Sequence, residues 1–248
     1  MDYVYICRGG DNEELRYSLR SIEKNMPKGR VWLVGKRPIW YIGDLIYVED
    51  TGKKFDNIKN CIKIVSEHPE ISDDFVLMND DFFVLKTIEG VPNLHGGLLA
   101  DKIKRYKESN MAPLYIRLLE LTHKELVMNG IKDPIDYDIH VPMVMNKHKL
   151  KECLGVAYFP RSSYGNVYKI GGEQIKDVKF YNSGERIKLN KNLYFVSVDG
   201  GSFIELKNII LEAEFPMPSS LENPEYSLAG DAGIDPATSE LTVRHSTI

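Results

Sequence analysis

The chain has 248 residues, of which 43% are hydrophobic and 27% charged, and its formal net charge is −4. These values are ordinary for a globular protein with one substantial core. The mild negative charge provides no global basic field of the kind that draws proteins to nucleic acid. The three cysteines show no paired spacing that would indicate a zinc site or a disulfide framework, which favours a reducing compartment.

The first half of the chain predicts alternating strands and helices. Apolar runs at 3–7, 31–34, 45–48 and 75–78 predict strands, and residues 13–25 and 55–66 carry apolar side chains at helical spacing. This order predicts an α/β fold with a mostly parallel, Rossmann-like sheet and flanking helices. The glycine pair after the first strand does not form the GxGxxG fingerprint, and the sequence has no Walker lysine motif. A standard dehydrogenase or P-loop enzyme is therefore not indicated.

The second half has a different pattern. The run 82–85 is apolar, residues 98–106 and 113–128 predict helices, and glycine turns punctuate short strands over 164–198. A last helix is predicted over 204–212. Beyond about residue 223, the richness in Ser, Pro, Gly, Ala and acidic residues predicts a flexible tail over 223–248.

The segment Asn79-Asp80-Asp81 follows the apolar run 75–78 directly. Interior strands of open α/β sheets deliver ligand-binding groups at their carboxyl ends. Two adjacent aspartates there repel each other unless a cation lies beside them, and a divalent ion with a phosphate ligand is the usual solution. The alternative is a solvated strand-to-turn junction, because Asn and Asp are common turn formers.

Four segments together resemble the glycosyltransferases encoded by many bacteriophages: 14–22 (ELRYSLRSI), 78–83 (MNDDFF), 138–143 (DIHVPM) and 215–219 (FPMPS). The likeness covers roughly residues 1–222. In shorter blocks, the chain is also distantly similar to the Stealth family of sugar-phosphate transferases. In that family a similar arginine-bearing helix precedes a similar Asn-Asp-Asp motif.

The resemblance implies an A-type glycosyltransferase (GT-A) fold with a small β-rich C-terminal segment, a nucleotide-sugar donor and a DxD-like metal motif. Asn79 and Asp81 would occupy the outer positions of that motif as metal ligands, with Asp80 between them as a donor-binding residue. Because an amide replaces the first carboxylate, a Mn²⁺ or Mg²⁺ ion would depend more on the donor pyrophosphate. We expect a single domain over 1–222, with a nucleotide-binding half (1–85) and an acceptor and catalytic half (86–222).

Several residues are candidates for contact with the donor. Arg8, Gly9 and Gly10 end the first strand, where a cation and backbone amides could meet the base or the phosphates. Lys36 ends the second strand in a similar position. Asn57 is expected just before the next helix, where it could contact a uracil-like edge or cap that helix.

Arg16 and Arg20 lie four residues apart on one face of the first predicted helix. They could contact the donor phosphates or the acceptor. The alternative is surface ion pairing with Glu13 or Glu23, which would carry little energy.

Three residues are candidates for catalysis. His140 could be a metal ligand or a base, or a packed histidine without a chemical role. Arg161 is predicted in a donor-rich loop, where it could fork onto a phosphate, and in the Stealth-like interpretation it is a phosphoryl clamp. Asp199 follows an apolar strand and could be the general base of an inverting transfer, or a turn residue with a purely local role.

The leading interpretation is a metal-assisted glycosyltransferase that moves a sugar from a nucleotide-sugar donor to an acceptor hydroxyl. One alternative is a Stealth-type hexose-phosphate transferase, and another is a non-catalytic module that binds a nucleotide sugar or a glycan. The acceptor could be a modified DNA base, a glycan or a protein, and the oligomeric state is open. Residues 1–6 lack the features of a signal peptide, and no apolar stretch approaches the ~18 residues that span a bilayer, so we expect a cytoplasmic protein, in the host cytoplasm if phage-encoded.

Overall fold

The computed structural model describes residues 1–109, 111–181, 187–190 and 192–226. The strands are β1 (Asp2–Arg8), β2 (Val31–Lys36), β3 (Asp44–Tyr47), β4 (Asp74–Asn79), β5 (Phe82–Val84), β6 (Leu94–His95), β7 (Met143–Asn146), β8 (Glu173–Gln174), β9 (Lys179–Phe180) and β10 (Phe195–Val198). The α-helices are α1 (Glu13–Asn25), α2 (Lys54–Glu67), α3 (Leu99–Glu108), α4 (Pro113–Met128), α5 (Lys147–Cys153), α6 (Pro160–Val167), α7 (Phe203–Leu206) and α8 (Glu212–Glu214). A π-helical turn, Lys207–Leu211, joins the last two.

The central sheet has the strand order β3-β2-β1-β4-β7. The first four strands are parallel, and β7 pairs antiparallel with β4 at the edge. The chain moves outward from β1 to β3 and then returns to place β4 on the other side of β1. This reversal creates a crevice at the carboxyl ends of β1 and β4, which is where open α/β sheets bind ligands. The predicted mostly parallel sheet with flanking helices is confirmed, and the arrangement is compatible with a Rossmann-like fold.

Alternating side chains of β1 face two separate cores. Tyr3 and Tyr5 pack in one cluster with Leu19 of α1, whereas Val4 packs in the other with Ile62 of α2. Because a strand directs successive side chains to opposite faces, helices cover both sides of the sheet. Burying each large apolar side chain contributes about 1.5–3 kcal/mol.

Helix α1 begins where Asn12 caps it. The Asn12 side chain accepts a hydrogen bond from the backbone N–H of Leu15 (3.2 Å). Glu13 and Glu14 lie in the first turn, where acidic side chains interact favourably with the positive end of the helix dipole. The helix ends at Asn25, before the extended Met26 and a proline. The cap therefore fixes the amino end of α1 beside the carboxyl end of β1.

A second sheet, β5-β10-β9, adjoins the first. The acidic segment occupies the turn between the two sheets, because β4 ends at Asn79 and β5 begins at Phe82. β5 belongs to the first half of the chain and pairs with β10 of the second half. β7, also from the second half, completes the central sheet.

The prediction of a β-rich stretch over 164–198 is wrong at the beginning of that stretch. Residues 160–167 form α6, so Arg161 lies on a helix rather than in a loop. Pro160 suits the first position of a helix, because its missing N–H has no partner there in any case. Strand structure in this part of the described chain is limited to β8, β9 and β10.

The domain continues past the predicted boundary at residue 223. The backbone N–H of Asn223 donates to the carbonyl of Trp40 (2.8 Å), and Tyr226 packs against a core cluster. The rest of the predicted tail, residues 227–248, lies outside the described residues. Among the described helices, none is both long and apolar enough to cross a membrane.

Candidate functional site

A cleft of about 830 Å³ opens at the carboxyl ends of β1, β2 and β4. Its size is typical of small-molecule sites. Nine of the predicted site residues line it: Arg8, Lys36, Asn57, Asn79, Asp80, Asp81, His140, Arg161 and Asp199. Four others, Gly9, Gly10, Arg16 and Arg20, are described but do not line it. Residues distant in the sequence thus meet at the switch point of the sheet.

Asp80 is held by the cap of α1. Asn79 is the last residue of β4, and Asp80 follows it into the turn. The Asp80 Oδ2 atom accepts a hydrogen bond from Asn12 Nδ2 (2.9 Å), and Arg8 Nε lies 4.0 Å from the same oxygen. Asn12 therefore caps α1 with its oxygen, as its place after the glycine turn suggests, and orients Asp80 with its nitrogen, which the sequence did not reveal.

Asp81 forms an ion pair that the sequence did not predict. Its Oδ2 atom accepts a hydrogen bond from Lys179 Nζ (2.7 Å), and each side chain is 14% exposed. Its Oδ1 atom is buried and has no hydrogen-bond partner among the described residues. A buried carboxylate oxygen without a donor is costly, so Asp81 retains capacity for a cationic or hydrogen-bonding ligand.

Three carboxylates crowd this end of the cleft. Burial, followed by the charge of Asp81, raises the pKa of Asp80. Burial, followed by the charges of Asp80 and Asp81, raises the pKa of Glu14 to about 7. Arg8, whose Nη2 lies 3.4 Å from Glu14 Oε2, is mostly exposed and offsets this charge weakly. The local field therefore favours the binding of a cation.

These residues fit a metal that takes only part of its ligands from the protein. Within the described ranges, no cluster of three or more His, Cys, Asp or Glu side chains is arranged to hold a metal ion. Mg²⁺-type sites commonly use one or two carboxylates and complete the shell with substrate phosphates and water. Asp81, with its unpartnered oxygen, and Asp80 beside it suit that pattern.

His140 is paired with a carboxylate. Its Nδ1 atom lies 2.9 Å from Asp177 Oδ2, and its backbone N–H donates to Asp177 Oδ1 (3.1 Å). Burial raises the pKa of Asp177, but the hydrogen bond from His140 and the charges of His140 and Lys102 outweigh it and lower the pKa to about 2. An ionised carboxylate accepts the proton of Nδ1–H, so Nε2 is the basic nitrogen. Asp177 is a site residue that sequence reasoning missed.

Arg161 is a buried cation in the cleft wall. It lies in the first turn of α6, is 8% exposed, and donates through Nη2 to the carbonyl of Val141. Its guanidinium lies 5.7 Å from the centre of the Phe82 ring, and its Nε is buried without a partner among the described residues. Burial lowers its pKa, against the opposing effect of nearby aspartates. The helix and the carbonyl contact fix its position, whereas the sequence predicts Arg161 in a donor-rich loop.

A buried ion pair supports the segment that carries His140. Lys102 is 2% exposed, and its Nζ lies 2.9 Å from Asp136 Oδ2 and 2.7 Å from the carbonyl of Asp138. Ser162 donates to the Asp138 carboxylate. Burial, with the charge of Asp136, raises the pKa of Asp138. Because these bonds fix residues 136–138, they also fix the backbone just before His140.

Asp199 has the local role that was predicted as its alternative, and it also faces the cleft. Its Oδ1 accepts from the backbone N–H of Ser202 (2.9 Å), and its own backbone N–H donates to the carbonyl of Phe180 (3.0 Å). These bonds anchor the turn after β10. Asp199 also lines the cleft, so a local role and a contact with ligand are compatible.

The glycine turn supports the site without lining it. Gly9 and Gly10 have φ values of 78° and 82°, which favour glycine. A Cβ atom on Gly9 would lie 2.8 Å from the Cβ of Lys36. The turn therefore packs closely on the end of β2. Lys36 lines the cleft, with its Nζ 3.8 Å from Glu49 Oε1.

Asn57 lies inside α2 rather than before it, because the helix begins at Lys54. It therefore does not cap the helix, whose N-cap position is Lys53. Its Nδ2 donates to the Asp50 carboxylate, and its Oδ1 accepts from the backbone N–H of Thr51 (2.9 Å). Asn57 thus orders the loop at the rim of the cleft.

Arg16 and Arg20 bind a carboxylate near the end of the described chain. Arg16 Nη1 lies 2.9 Å from Glu222 Oε2, and Arg20 Nε lies 2.7 Å from Glu222 Oε1. Neither predicted role is observed, since the arginines lie outside the cleft and their partner is neither Glu13 nor Glu23. The reason is that Glu222 is more than 200 residues away in sequence, where helical spacing gives no information.

Comparison with known proteins gives no match to any protein-family model and no significant match to any curated protein.

Proposed function

We propose that the chain is a nucleotide-sugar-dependent glycosyltransferase with an A-type fold, which moves a sugar to an acceptor hydroxyl. The observation that carries this proposal is the Asp80–Asp81 pair in the cleft, where Asp81 keeps one buried oxygen without a partner. The parallel order β3-β2-β1-β4 with antiparallel β7 at its edge also supports it. A carboxylate pair at the switch point of such a sheet suits a metal–diphosphate ligand.

The donor diphosphate would bind at the end of β1, where Arg8 adds positive charge. Asp81, supported by Asp80 and Asn79, would hold a Mn²⁺ or Mg²⁺ ion. When bound, such an ion neutralises the charge that develops on the leaving diphosphate. Arg161, buried in the wall, adds a fixed positive charge near the same end.

His140 is the proposed base. Asp177 orients its ring, and Nε2 takes the proton from the acceptor hydroxyl as the acceptor oxygen bonds to the anomeric carbon. The bond between that carbon and the diphosphate oxygen breaks, and the diphosphate leaves with the electron pair. Asp199, on the turn after β10, lines the same cleft and would contact the sugar.

A panel of nucleotide sugars tests the proposal by thermal shift, with and without Mn²⁺. A donor at 100 times its Kd adds about 2.7 kcal/mol of stability, which corresponds to about 5–10 °C in a domain of this size. Asp81→Asn should remove the Mn²⁺-dependent part of the shift. Asp101→Asn, at an exposed position on α3, is the matched control. Absence of a shift with every donor would refute the proposal.

Analysis of the released nucleotide separates the alternatives. A glycosyltransferase releases a nucleoside diphosphate, and a Stealth-type hexose-phosphate transferase releases a nucleoside monophosphate. Donor binding without turnover on modified DNA, glycan and protein acceptors would favour a binding module. We also propose that the protein is encoded by a bacteriophage and acts in the cytoplasm of the host cell.

A further inference from the structure

Lys179 is placed in the cleft by the short strand β9. It lies two residues after Asp177, so one short segment delivers the carboxylate that binds His140 and the ammonium that binds Asp81. The Lys179 Nζ is 2.7 Å from Asp81 Oδ2 and 5.8 Å from the centre of the Tyr181 ring. Both Lys179 and Asp81 line the cleft. The ammonium therefore lies at the motif proposed to bind a metal.

The contact leaves both groups with unused capacity. Asp81 Oδ1 has no partner among the described residues, and an ammonium has three N–H donors, of which Asp81 takes one. The lysine stem is flexible, so a small rotation carries Nζ away from Asp81. A divalent cation on Asp81 would compete with the ammonium for the same carboxylate. A lysine displaced in this way would remain beside the phosphates of a bound donor.

We infer that Lys179 stays paired with Asp81 until a divalent cation replaces it there, and that it then binds the donor diphosphate. This inference rests on the proposed function and assigns a specific ligand group to a residue outside the motif. It also explains how Asp81 is neutralised before the donor arrives. No covalent step is involved, since one ion pair replaces another.

Calorimetry on Lys179→Gln and Lys179→Arg tests the exchange. With Mn²⁺ alone, Lys179→Gln should bind the ion about tenfold more tightly than the wild type, because the competing ammonium is gone. With saturating Mn²⁺, the same variant should bind UDP, GDP, ADP or CDP, whichever the wild type binds, about tenfold more weakly. Lys179→Arg should keep the diphosphate affinity. Lys176→Gln, at an exposed position nearby, should match the wild type.

A second measurement uses only the wild-type protein. Acetic anhydride labelling followed by mass spectrometry reports how accessible each lysine amine is. Labelling of Lys179 should rise when Mn²⁺ is added and fall when the nucleoside diphosphate follows. Labelling of Lys176 should change in neither step.

Unchanged diphosphate affinity in Lys179→Gln, or a parallel loss of both affinities, would overturn the exchange. Constant labelling of Lys179 through both additions would do the same. If the wild type binds the diphosphate and the variant binds it equally well, the assignment of Lys179 alone fails. If the wild type binds none of the four diphosphates, the proposed function itself fails.

Discussion

Glu222→Gln should strongly destabilise the folded domain. The Glu222 side chain is fully buried, and it accepts hydrogen bonds from Arg16, Arg20 and the backbone N–H of Ser219. The two arginine side chains are only 13% and 12% exposed. Glutamine keeps the size of the residue but removes its charge, so two nearly buried guanidinium groups lose their counter-ion.

The expected loss is about 3 kcal/mol, the lower end of the cost of breaking a buried ion pair. In a domain of this size, that corresponds to a decrease in Tm of about 6–12 °C. Urea denaturation followed by circular dichroism measures the free energy of unfolding directly. Glu225→Gln, at an exposed position three residues later, is the control and should lie within about 0.5 kcal/mol of the wild type.

The same variant tests where the arginines act. Because Arg16 and Arg20 lie outside the cleft, Glu222→Gln should leave unchanged the Kd of the proposed nucleotide-sugar donor at temperatures where the variant is folded. A stability within about 0.5 kcal/mol of the wild type would refute the role of Glu222 in the buried ion pair. A loss of donor affinity at full folding would instead favour the predicted contact of these arginines with the donor.

Three further predictions concern acid stability, a glycine in strand β2 that lies close to β1, and a buried lysine. Burial alone would raise the pKa of Glu222, but its contacts with Arg20, Ser219 and Arg16 lower it. The stability that ionised Glu222 gives the domain should therefore be complete above about pH 4.3 and be lost as the pH falls. In Glu222→Gln, the free energy of unfolding should depend less on pH in this acid range. Gly35→Ala should lower the free energy of unfolding, measured by urea denaturation, by at least about 3 kcal/mol, because the new Cβ would lie 2.1 Å from the carbonyl oxygen of Cys7 at a φ of 123°. Gly52→Ala, which has open space around it, should lose about 1–2 kcal/mol. Equal losses in the two variants would contradict the steric argument. Lys102→Met should lower the free energy of unfolding by about 3–5 kcal/mol, because it leaves Asp136 buried and without its counter-ion. Adding Asp136→Asn to the same chain should recover part of this stability. If the effects of the two substitutions are purely additive, the pair is not coupled.

The elements of the fold were predictable because their signals are local. Apolar runs and helical spacing predicted the four parallel strands and both helices between them to within a few residues. The stretch 160–167 was predicted incorrectly, because the glycine and serine residues around Tyr164 suggested turns. This segment is a helix because of its burial against the rest of the fold, and short local patterns do not reveal that burial.

The candidate site was predictable only in part. Asp80 and Asp81 could be singled out because two carboxylates directly follow an apolar strand, and the order of strands and helices indicated which edge of the sheet they reach. Arg16 and Arg20 show the opposite case. Their helical spacing was read correctly, but spacing alone does not distinguish a ligand contact from a buried ion pair.

The sequence by itself determined the alternation of strands and helices and the position of the acidic motif at a strand end, since both follow from the periodicity of neighbouring residues. Only the tertiary structure decided the partners of the charged groups: Lys179 for Asp81, Asp177 for His140, and Glu222 for the two arginines. These partners lie between 37 and 206 residues apart in the chain. Side-chain pairing over such distances depends on how the sheets and helices pack, and no local pattern in the sequence records it.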